Sequence, residues 1–232
     1  MHDSRTQTSN GRAAWMQRRY FSIVSSITLF FTVWGFSDNL VWKVGQPSNA
    51  DPKFIIHGLS CLAWMLAFFV QSNLVRAGNV RLHRRLGIVG MGAAIGVTLS
   101  TLYVFLAVWK GWGAMPSYAQ ANRLLLPSFG LFVFLGYLNR RRPDAHRRYL
   151  LLATLYMLEP ALSRAFDPLD PLLRGVSEQV VDTSWWVFFI VCWNALFLSL
   201  FAYDGIVTGK IHRVTALGYA WFWVVWCVVT VV

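Results

Sequence analysis

Charge is what this sequence has least of. Only 13% of its 232 residues are charged and just 10 are acidic, where a soluble domain of ordinary composition has about 25% charged residues. The shortage excludes a globular protein in water, because a chain with 56% apolar residues cannot hide that much surface in a core of this size. Cysteine is nearly absent too. Cys61, Cys192 and Cys227 all fall inside apolar runs, so neither a loop disulfide nor a cysteine-based metal pattern can be drawn. The motifs G-x-x-x-x-G-K-[ST], G-x-G-x-x-G and H-E-x-x-H are missing, which leaves nucleotide-driven work and a zincin protease without support. No HxxxH or HxxHH cluster suggests a membrane di-iron desaturase.

Long apolar runs are what the chain has in abundance. A helix needs about 20 mostly apolar residues to cross a hydrocarbon core of about 30 Å, and seven stretches qualify: 20–36, 54–75, 86–109, 124–138, 149–166, 185–203 and 214–232. The fourth is the shortest. Asn122 and Arg123 lengthen it if their side chains reach back to the headgroups, and Pro127 and Gly130 are tolerable inside a bundle. The sequence therefore predicts an all-α integral membrane bundle of seven transmembrane helices, with a basic tail over residues 1–19 and a membrane domain over 20–232. The last run lacks lysine, which excludes a retinal Schiff base there.

Orientation follows from the basic residues, which are kept near helix ends on the cytoplasmic face. Arg5, Arg12, Arg18 and Arg19, the clusters at 76–85 and 140–148, and Lys210 with Arg213 fall on one side. Lys43, Lys53, Lys110, Arg123, Arg164 and Arg174 fall on the other. This places the N-terminus inside and the C-terminus outside. It predicts a multi-pass protein of a bacterial inner membrane, with anionic lipids at its cytoplasmic face, a possible membrane-protein partner and no nucleic acid. Aromatic residues mark both interfaces, with Trp34, Trp42, Trp109, Trp112, Trp185 and Trp186 outside, and Trp15, Tyr20, Tyr137, Tyr149 and Tyr203 inside. The stretch 171–182 is expected to form a short interfacial helix.

Candidate chemistry rests on histidine. His83 (LHRRLG), His146 (AHRRYL) and His212 (KIHRVT) each follow a cytoplasmic loop and precede an arginine. Three imidazoles at one depth could hold a transition metal, or two of them could serve as axial ligands of haem b. The competing reading is that His-Arg pairs anchor helix ends to anionic lipid. Outside, His57 lies in the first turn of the second helix, and Glu159 precedes Pro160 and a kink. An ionisable residue in a membrane helix needs a partner, so His57, Glu159 and Arg164 form a candidate outer catalytic or proton site in which His57 pairs with Glu159, the competing reading being a polar interhelical contact near the surface. Gly92, Gly96 and Ser100 recur at a spacing of four and suggest close helix packing. Gln71 and Asn73 are expected to hydrogen-bond within the bundle.

The runs HGLSCLAWMLAFFVQSNLVRAGNVRLHRRLG, NRRRPDAHRRYLLLATLYMLEPALSR and GKIHRVTALG, spread over residues 57–218, resemble uncharacterised bacterial polytopic membrane proteins with histidines at helix starts. That family brings no established activity. The sequence also resembles transmembrane b-type cytochromes, which implies a haem-binding electron carrier. It departs from them in having three inner histidines and one outer one, so the resemblance leaves room for at most one bis-histidine haem, made by two of His83, His146 and His212. Two functions are expected from these residues. One is a haem-, metal- or quinone-linked redox protein. The other is a non-enzymatic accessory subunit, scaffold or small transporter.

Overall fold

The computed structural model describes residues 4–43 and 45–231. Side chains are described for these except residues 4–10, 12, 42, 170, 171 and 231, so Arg5, Arg12 and Trp42 lie outside the described side chains. The described chain is helical, with α1 (Ser4–Gly35), α2 (Pro47–Ala50), α3 (Pro52–Arg76), α4 (Val80–Ala107), α5 (Ser117–Leu138), α6 (Pro143–Tyr156), α7 (Glu159–Ser163), α8 (Asp170–Leu173), α9 (Glu178–Thr208) and α10 (Arg213–Val231). Five of them, α3, α4, α5, α9 and α10, are long and apolar enough to cross a membrane. α1 runs from Ser4 in the basic tail into the first apolar run without a break.

The helix starts follow local rules. Asp51 caps α3 by accepting from Lys53 N at 3.1 Å, with Pro52 in the first turn, and Asn79 caps α4 by accepting from Leu82 N at 3.1 Å. Pro127 leaves α5 continuous, and the helix takes in Asn122 and Arg123. The fifth apolar run is the one that breaks. Pro160 has no N–H to give to Tyr156, so α6 stops at Tyr156 and α7 begins at Glu159.

This broken segment is the centre of the bundle. Leu151, Leu152, Leu155, Tyr156 and Leu158 are fully buried. They pack against an aromatic cluster in which the rings of Trp193 and Phe222 stand 4.7 Å apart and those of Phe132 and Tyr156 5.0 Å apart. Three indoles close carbonyls around the break: Trp193 donates to Leu155 O at 2.9 Å, Trp185 to Ser163 O at 2.8 Å and Trp34 to Ala165 O at 2.8 Å. Such donors are needed because an open carbonyl in an apolar bundle costs several kcal/mol. Trp34 and Trp185, expected as interface markers, thus also hold the broken segment in place.

Other expectations are met in part. Gly96 faces α3, where a Cβ would stand 3.0 Å from Ser60 Oγ, whereas one at Gly92 would meet nothing within 4 Å. Asn73 Oδ1 accepts from Ser22 of α1 at 2.7 Å, while Gln71 Oε1 is buried without a partner. Tyr20 and Tyr203, expected at the inner interface, are buried against one another and stack at 4.6 Å. The cation of Arg147, over the rings of Phe21 and Tyr203 at 5.1 and 5.3 Å, covers them. The expected helix at 171–182 is divided between the end of α8 and the start of α9, which already begins at Glu178.

Candidate functional site

The end of the bundle that carries the arginine clusters also carries His83, His146 and His212, but the three do not converge. His83 in the first turn of α4 faces His146 in the first turn of α6, with ring centroids 6.4 Å apart and planes at 87°. His146 Nδ1 donates to Gly136 O of α5 at 2.8 Å, which leaves Nε2 as the nitrogen with a free lone pair. Nδ1 of His83 is buried and has no hydrogen-bond partner.

His212 belongs to a different group. Its Nε2 lies 3.5 Å from Asp144 Oδ2, and its Nδ1 accepts from Val214 N at 3.2 Å. Burial holds its pKa below the ordinary imidazole value, with the nearby Arg148 cation adding to the effect and Asp144 and Asp204 opposing it. Among the described residues no three His, Cys, Asp or Glu side chains gather closely enough to hold a metal ion. The three-histidine metal centre expected from the repeated His-Arg pattern is therefore not assembled. The α9–α10 connection ties His212 to Asp144 and Asp204 instead.

Beside His212 lies a feature absent from the sequence reading. Arg148 of α6 and Asp204 of α9 are fully buried and form an ion pair in which Arg148 Nε donates to Asp204 Oδ1 at 2.9 Å. Arg148 Nη1 donates to Asp144 O at 2.6 Å. Asp204 Oδ2 accepts from His212 N at 2.9 Å and from Thr215 Oγ1 at 2.6 Å. A single carboxylate thus joins α6, α9, the α9–α10 connection and α10. Asp204 stands one residue beyond the sixth apolar run, on a face whose other charges are mostly arginines, and that exception in sign was the available signal.

At the opposite end the expected outer site is divided among separate partners. His57 Nδ1 is 3.1 Å from Ser100 Oγ of α4, and both ring nitrogens lie within 3.9 Å of Cys61 Sγ. Glu159 is 3% exposed and accepts from Asn122 Nδ2 of α5, so the expected pairing of His57 with Glu159 is replaced. The reason is helix placement: α3 turns His57 toward α4, while α7 turns Glu159 toward α5. Asn122, expected to reach for headgroups, points inward. Arg123 is held by α4 instead, its Nη1 donating to Phe105 O at 2.9 Å and its guanidinium 4.7 and 4.9 Å from the rings of Phe105 and Trp109. Arg164 donates to Asn39 Oδ1 at 2.8 Å and lies within electrostatic reach of Glu159.

What this arrangement offers chemically, among the described residues, is one pair of adjacent imidazoles and three buried carboxylates, Asp204 at one end and Asp38 and Glu159 at the other. No family model, curated protein or solved structure matches the chain.

Proposed function

We propose that this is a polytopic protein of a bacterial inner membrane, crossing seven times with its N-terminus inside, and that His83 and His146 hold a b-type haem for electron transfer. The two crossings beyond the five long apolar helices are α1 and the broken pair α6 and α7. Contacts support that assignment. Ser22 bonds Asn73 and Tyr20 bonds Ser199 at one end, while Trp34 bonds Ala165 and Asn122 bonds Glu159 at the other. The charge asymmetry sets the orientation.

The observation that carries the cofactor reading is the facing pair at 6.4 Å. Imidazole rings at this separation, set edge to face, would be near enough to hold one iron between them. His83 and His146 would hold the haem iron, which is bound by one or two protein side chains and needs no third. His146 is already oriented by the Gly136 carbonyl, and Gly87, one turn beyond His83, has open space where a side chain would stand. Bound there, haem would supply one-electron chemistry. His212 takes no part in it.

The test is an absorption spectrum of detergent-purified protein, oxidised and then reduced with dithionite. A sharp reduced α-band is expected, lost in His83→Ala and His146→Ala and kept in His212→Ala. A colourless preparation from a haem-sufficient host would overturn the proposal. It would favour the second reading, an accessory or scaffold subunit, to which the purely structural engagement of His212 already points.

A further inference from the structure

A crevice of about 470 Å³ separates α1 from α9, running from Trp15 past Tyr20 and Ile27 to Phe31 on one wall, with Leu196 and Ala202 on the other. Its volume is in the range of small-molecule sites. At 1.5 Å per residue the α1 wall extends about 24 Å, longer than the half-thickness of a hydrocarbon core of about 30 Å. The hydroxyls in the wall are already used, since Tyr20 Oη and Ser199 Oγ bond one another at 2.8 Å. A polar ring such as a quinone would find no free hydroxyl there, whereas a hydrocarbon chain requires none.

The mouth differs from the interior. Trp15 is 49% exposed and the guanidinium of Arg19 lies 5.7 Å from its ring. Arg18 and Arg19 are both exposed, and no carboxylate is among the residues lining the crevice. We propose that the crevice holds an acyl chain of one anionic phospholipid, with its phosphate taken by Arg18 and Arg19. The proposal rests on the membrane reading above and is independent of haem. Its physical basis is van der Waals packing of the chain against apolar walls, with selectivity from two cations at the headgroup level.

Native mass spectrometry of the full chain in detergent, with added phosphatidylglycerol or phosphatidylcholine, tests it. One phosphatidylglycerol is expected to be retained roughly tenfold more tightly than phosphatidylcholine. Ala195→Phe and Ala202→Phe fill the crevice from exposed α9 positions and should abolish retention. Arg18→Gln with Arg19→Gln should reduce phosphatidylglycerol binding to the level of phosphatidylcholine. Equal retention of the two lipids by the unmodified protein, or wild-type retention in both filled variants, would overturn the site. Purification in aqueous buffer without detergent would instead overturn the membrane reading.

Discussion

Arg148 and Asp204 meet in a pocket where neither is exposed to solvent, and they link α6 to α9. Breaking a buried pair from one side leaves an uncompensated charge, at a cost of about 3–5 kcal/mol. Arg148→Ala and Asp204→Ala should each fall in that range. Asp204→Ala should be the worse, because it also releases His212 N and Thr215. Thr215→Val removes a single hydrogen bond to a charged group and should cost about 1.5–3 kcal/mol. Denaturant unfolding in detergent checks the order, and equal damage from Thr215→Val and Asp204→Ala would contradict the shared-carboxylate account.

Trp193 is fully buried at the centre of the aromatic cluster, and its indole N–H closes the Leu155 carbonyl where α6 ends. Trp193→Phe keeps most of the apolar volume but leaves that carbonyl open. A buried acceptor without a donor costs about 1–3 kcal/mol, on top of the small cavity. Trp223→Phe, at an exposed position of α10, should be close to neutral in the same thermal unfolding assay. A Trp193→Phe protein as stable as the Trp223→Phe one would show that water or another group supplies the missing bond.

The helical architecture was legible in residue order, because apolar run length is a one-dimensional quantity, and five of the seven runs fall in helices long and apolar enough to cross a membrane. The broken fifth segment could also be read, since Glu159-Pro160 removes a helical donor at a known position. Pairings were not legible. Which neighbour His57 meets depends on the rotation of α3 about its own axis, which no motif encodes, and the structure turns it toward Ser100 and away from Glu159. Asp204 escapes a reading by apolar runs because the sixth run ends at Tyr203, while the helix continues to Thr208. The repeated His-Arg spacing suggested three equivalent histidines, yet equivalence along the chain does not carry over to three dimensions. His83 and His146 start helices that approach each other, while His212 lies in a connection held by Asp204.

Acid should loosen that connection. The folded state holds His212 below its ordinary pKa of 6.5, through burial first and then the Arg148 cation, so it prefers the neutral ring that accepts from Val214 N. The groups facing it are Arg148, Asp144 and Asp204. As pH falls below about 6.5, the unfolded chain takes up the proton first, and stability declines until the folded pKa is passed. Asp144 acts in a separate window. Burial raises its pKa, but backbone N–H groups, His212 and Arg148 outweigh that and hold it below 3.8, so its contribution persists above that value and is lost in stronger acid. Solvent screens the exposed His212–Asp144 pair, which keeps the effect small. The unfolding temperature should drop slightly between pH 7.5 and 5.5 in the unmodified protein, and less in His212→Gln. Parallel curves for the two would assign the decline to other groups.

Gly35 lies directly against the backbone of α7. A Cβ placed there would stand 2.2 Å from the carbonyl oxygen of Ala161 and 3.1 Å from its carbon, and these are backbone atoms that cannot rotate away. Gly35→Ala must push α1 off α7, and with it the Trp34 bond to Ala165 O, for a loss of about 1–3 kcal/mol. Gly92 supplies the control, because a Cβ there meets nothing within 4 Å. Removing a helical glycine at an open site should stabilise by roughly 0.5–1 kcal/mol. The same chemical change is thus expected to have opposite signs at two positions, both within apolar runs. Unfolding midpoints of the two variants measured side by side decide it: a shared sign would mean that α1 does not sit against α7 as described.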